Sequence, residues 1–175
     1  MLTLFNFFVD ICLLRRKPQD LPASTTLFVA LVLVNLLIAI IGISGLIPPA
    51  SAVAAAMLDA VLLMTMLRLV LSIQNRTARF LQSATAIFGS GIVLGLIALP
   101  LQLALDQSAE ASAITQLASI AYLILLIWSQ LVVAHVLRHA LDISLVLGVG
   151  LALTYAIVSG VLIQTLFMGQ LPATG

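Results

Sequence analysis

The chain has 175 residues, of which 63% are hydrophobic and 7% charged, with a net charge of +1. A soluble globular domain carries roughly 25% charged residues, so lipid must be the solvent for most of this chain, and no nucleic-acid partner is expected. The only cysteine, Cys12, excludes an intramolecular disulfide and a cysteine-based metal cluster.

The first apolar stretch, Leu2–Leu14, is too short to cross about 30 Å of hydrocarbon. Leu2, Phe5, Phe8, Val9 and Cys12 recur at helical spacing, with Thr3, Asn6 and Asp10 on a narrower polar side. This pattern predicts an amphipathic helix lying in the membrane interface, with Arg15, Arg16 and Lys17 at anionic headgroups. The plainer alternative is an apolar leader packed on a bundle. Because the basic residues follow the apolar run, and no small-residue cleavage site comes after it, the stretch does not read as a secretory signal. Pro18 and Pro22 then bracket a short extended linker. Residues 1–22 are therefore expected to form an interfacial segment and linker, and residues 23–175 a transmembrane domain.

Five apolar stretches follow, each near the ~20 residues that a membrane helix needs: Thr26–Leu46, Ser51–Ile73, Ala84–Leu105, Ile114–Val136 and Ile143–Phe167. Pro48-Pro49 parts the first two and cannot continue a helix. The connections are short, which makes successive helices antiparallel neighbours, and no strand-period pattern appears. The predicted fold is all-α, a polytopic bundle of five transmembrane helices behind one short amphipathic helix.

Basic residues set its orientation. Arg15, Arg16 and Lys17 precede the first span, Arg76 and Arg79 lie between the second and third, and Arg138 lies between the fourth and fifth. Arg68 is close enough to the second of these regions to snorkel toward the same side. Gly45–Ala50, Asp106–Ala113 and Gly169–Gly175 contain no Lys or Arg. The rule expects an inner (plasma) membrane protein with its N-terminus cytoplasmic and its C-terminus outside, beside Asp106 and Glu110.

Few side chains inside the spans carry chemistry. Asp59 sits within the second span, where a carboxylate usually faces a bundle interior or a wet cavity. It is a candidate titrating group for a proton or cation relay, or else a residue capped by a neighbouring hydroxyl. Arg68, nine residues on, is about 13 Å away along the helix and too far to pair with it. Asn35, midway along the first span, is a candidate partner of Asp59 or a hydrogen-bonding bridge between helices. Gln102, Gln130 and Gln164 read as similar bridges.

His135, His139 and Asp142 fall at i, i+4 and i+7, a possible zinc-ligand set on one helical face. The residue after His135 is Val136 where a zincin has glutamate, so hydrolysis is not supported. The alternative is the polar end of a helix, where His and Arg suit the dipole. Gly91 and Gly95 form a small-xxx-small pair for close helix packing, within one chain or between two. Pro100 should bend the third span. No nucleophile–base pair or phosphate loop appears, so neither an enzyme nor a cofactor is expected.

Two segments carry a family likeness: Arg79-Phe80-Leu81-Gln82-Ser83-Ala84, opening the third span, and the fourth span from Ile127-Trp128-Ser129-Gln130-Leu131 to Leu137-Arg138-His139-Ala140-Leu141. With the five-span layout they resemble the bacterial branch of the Yip1 family of small polytopic membrane proteins. The resemblance implies a five-helix membrane fold and, in the eukaryotic branch, trafficking linked to Rab GTPases. The expected function is a non-enzymatic membrane protein that scaffolds or binds other membrane components. Its partners would be the lipid bilayer, other membrane proteins or further copies of itself. The alternatives are an accessory subunit of a larger membrane complex, and a small transporter or channel centred on Asp59.

Overall fold

The computed structural model describes residues 2–106 and 113–168. Among these there are six α-helices and no strand: α1 (Leu2–Cys12), α2 (Thr25–Ile43), α3 (Pro49–Ile73), α4 (Phe80–Asp106), α5 (Ala113–Leu141) and α6 (Leu145–Ile163). A π-turn over Gln164–Met168 continues α6, and 3-10 turns occupy Pro18–Asp20 and Thr77–Arg79. The last five helices are each long and apolar enough to cross a membrane, which makes this a multi-pass membrane protein. Glu110 and the Gly169–Gly175 stretch lie outside the described residues.

Local chemistry sets the helix ends. Ser24 and Ser144 cap α2 and α6, each accepting a 3.3 Å hydrogen bond from the N–H three residues on, Leu27 and Leu147. Pro49 opens α3, where its missing N–H costs nothing. At the far ends of α1, α3 and α5, Leu14, Asn75 and Asp142 adopt left-handed backbone, with φ of 59°, 56° and 52°. The N–H after each bonds back into its helix: Arg15 to the Asp10 carbonyl at 2.9 Å, Arg76 to Leu71 at 2.8 Å, and Ile143 to Arg138 at 3.1 Å. This is the 6→1 bond of a Schellman ending. Because a capping turn, not hydropathy, stops α5, that helix runs past Val136 to Leu141, and α4 begins at Phe80, before the apolar stretch at Ala84.

Helix α4 is the hub, packing chiefly on α2, α5 and α1. Gly91 and Gly95 bring α2 close. A Cβ built on Gly91 would lie 2.6 Å from Asn35 Nδ2, and one on Gly95 2.7 Å from Ile38 Cγ2. The small-xxx-small pair thus serves packing within the chain. The helix runs through Pro100 to Asp106.

Helix α1 takes part in the main core. Phe7, Phe8, Ile11 and Cys12 are buried in one cluster with Ala84, Phe88, Val132 and Val136. Phe8 fills the space left by Gly89, where a Cβ would come within 2.2 Å of the ring. The face expected from Leu2, Phe5, Phe8, Val9 and Cys12 is therefore rotated: Phe5 stands outward with Leu13. The core crosses the boundary expected at residue 22, so α1 and the bundle pack as one unit. A second cluster, of Ile47, Ala52 and Ala55 with Ile40, Ile163 and Phe167, closes the opposite end.

Candidate functional site

Asp59 lies ten residues into α3, about 15 Å along its axis. Tyr155 and Ser159, one turn apart on α6, both aim their hydroxyls at its Oδ1. Tyr155 donates at 2.6 Å and Ser159 makes a second short bond, while the Tyr155 oxygen also lies 3.4 Å from the Asp59 carbonyl. The carboxylate is thus a three-way tie between α3 and α6. Asn35 does not reach it. Its Nδ2 donates to the Phe88 carbonyl of α4 at 3.4 Å, so the pairing considered between Asn35 and Asp59 is absent and the amide bridges α2 to α4.

The trio His135, His139 and Asp142 does not converge. The two rings meet edge-on with centroids 4.6 Å apart. His135 donates from Nε2 to the Arg16 carbonyl at 3.0 Å, since a carbonyl can only accept. The Asp142 carboxylate is held by Arg76 and by Arg79, the latter at 3.0 Å. The i, i+7 relation fails because α5 ends at Leu141 and the left-handed turn swings residue 142 off the helical face. Among the described residues, no group of three or more His, Cys, Asp or Glu side chains is arranged to hold a metal ion.

The same bonds lace one end of the bundle together. Arg79 donates to the His139 and Ala140 carbonyls at 3.3 and 3.1 Å, satisfying acceptors that the end of α5 leaves open. Gln19 donates to the His139 carbonyl, and Gln82 to the carbonyls of Gln19 and Leu21 at 3.2 and 2.8 Å. Trp128 Nε1 donates to the Cys12 carbonyl at 3.0 Å, closing the last turn of α1. Burial pushes the Cys12 thiol up to about 11, and its sulfur lies 3.7 Å from the Ser90 carbonyl. Arg15, Lys17 and Arg138 stand exposed around this end.

Away from the basic end, α2, α4 and α5 border two cavities. A deeper one of about 250 Å³ is lined by Asn35, Leu63, Gly91, Leu94, Ala98 and Leu125 among others. A second, of about 480 Å³, lies toward the ends of α2 and α4, against Ser44, Gly45, Leu46, Gln102 and Leu103. Tyr122 lines both, and Gln102 Nε2 donates to its hydroxyl at 2.9 Å. The sequence pattern does not single out Tyr122, Tyr155 or Ser159. The available signal was depth: each sits inside a span at the level of another polar side chain on a neighbouring helix.

No protein-family model, curated protein or solved structure matches the chain.

Proposed function

We propose that this chain is a Yip1-like, non-enzymatic membrane protein that scaffolds or binds other membrane components. One observation carries the reading: three polar side chains deep in the spans, Asp59, Asn35 and Gln102, are committed to ties between helices. Asp59 is tied to Tyr155 and Ser159, Asn35 to the Phe88 carbonyl, and Gln102 to Tyr122. What remains for partners is an apolar exterior, including Ile114, Leu117, Ile120, Leu123, Ile124 and Ile127 along α5. The outward Phe5 and Leu13, with Arg15 and Lys17 beside them, suit the headgroup layer of an anionic leaflet. On the positive-inside rule that leaflet is the cytoplasmic one of the inner membrane, with the N-terminus inside and the C-terminus outside.

Cross-linking in intact native membranes, followed by purification in mild detergent and mass spectrometry, tests the proposal. It predicts a membrane protein, or a second copy of this chain, recovered at fixed stoichiometry. Recovery of the uncross-linked monomer alone would contradict it.

A further inference from the structure

We propose that the two cavities that share Tyr122 as a wall residue hold one membrane lipid, with an acyl chain in the deeper cavity and the glycerol–ester region at Gln102 and Tyr122. This deepens the reading of the chain as a binder of membrane components and rests on it.

Water is a poor occupant of the deeper space. At about 30 Å³ per molecule, 250 Å³ would hold about eight waters, and each needs two to four polar partners. Few polar groups line its wall: Asn35 gives one N–H to the Phe88 carbonyl, Ser90 its O–H to Ile87 and Ser129 its O–H to Leu126, and the Tyr122 hydroxyl at one end accepts from Gln102. The rest of the wall is hydrocarbon, including Leu63, Leu94, Ala98 and Leu125. An alkyl chain fills such a volume with no hydrogen bonds to lose.

The second cavity differs in kind. Gln102 and Tyr122 are bonded to each other, and the second amide N–H and the phenol O–H are the donors left to reach ester carbonyls and glycerol oxygens. Polar groups lie toward the helix ends and hydrocarbon lies deeper, which is the order along a lipid from its glycerol into its tail. Among the described residues, neither lining carries a Lys, Arg, Asp or Glu. A zwitterionic glycerolipid fits.

The test is photolabelling of the full chain in phosphatidylcholine vesicles that carry a phosphatidylcholine with a diazirine on its acyl chain, with labelled residues mapped by mass spectrometry. Labelling should concentrate on Leu94, Ala98, Leu125 and Ser129. Ala98→Phe, which fills the deeper cavity, should reduce it by about tenfold or more. Val158→Phe on the outward face of α6 should leave it unchanged. Ser129→Leu serves as a milder filling variant should Ala98→Phe fail to elute as a folded species. Exchanging half the carrier lipid for anionic phosphatidylglycerol should not raise the labelling.

Labelling spread evenly over the outward Leu117, Ile120 and Ile124 and indifferent to the filling variants would overturn the proposal. So would a clear preference for the anionic lipid, or capture of a protein rather than a lipid at the lining residues. Partner cross-linking is read in the same preparations. A partner retained while lipid labelling ignores Ala98→Phe removes the lipid site and leaves the scaffold reading intact.

Discussion

Asp59 places a carboxylate in the apolar part of α3, and two hydroxyls of α6 converge on its Oδ1. Since an interhelical hydrogen bond in a membrane contributes about 0.6–2 kcal/mol, Tyr155→Phe should lower unfolding stability in detergent micelles by that amount. Asp59→Asn, which keeps an acceptor oxygen, should cost less than Asp59→Leu, which leaves two hydroxyls without one. Equal stability across all three variants would refute the tie. Asp59 was legible in the sequence because a carboxylate is rare inside a span, whereas Tyr155 and Ser159 are unremarkable there. What linked them was depth on a helix running the other way, a relation between two elements that single-helix periodicity does not contain. The His135, His139 and Asp142 pattern failed for the opposite reason, since its spacing assumed that α5 continued one residue beyond its end.

At the scale of elements, α1 shows how one missing side chain directs packing. Hydropathy identified a short amphipathic helix, but its docking depends on the slot at Gly89, on Trp128 reaching the Cys12 carbonyl, and on His135 reaching that of Arg16. None of these is a feature of α1's own sequence. Gly89→Leu must displace Phe8, and Phe8→Ala removes the same anchor from the other side; both should loosen α1. Cys12 reports the change. With its pKa raised to about 11, about one thiol in a thousand is ionised at pH 8, and burial blocks access further. Alkylation by a soluble maleimide should be slow in the parent and in Phe5→Ala, whose ring faces outward, and about tenfold faster in both core variants. Fast labelling of the parent would show that α1 is not docked. The spanning helices were more legible than α1, because Pro48-Pro49 and long apolar runs are strong local signals while a packing slot is not.

In the whole molecule, α4 sits at the centre, the five apolar helices alternate in direction, and hydrogen bonds join the residue 13–24 strap, the α3–α4 turn and the α5–α6 turn at one end. The positions of Lys and Arg foretold this grouping, since five successive crossings bring residues 15–17, 76–79 and 138 to the same side. The measurement that tests the membrane-bundle account most directly is single-cysteine accessibility in a Cys12→Ser background, with cysteines placed singly at Lys17, Gly45, Asn75 and Arg138. The account predicts that a membrane-impermeant maleimide added to intact cells labels the Gly45 position alone, and that the other three label only after the membrane is opened. Labelling of Gly45 together with Lys17 or Asn75 from the same side would contradict the five-crossing bundle.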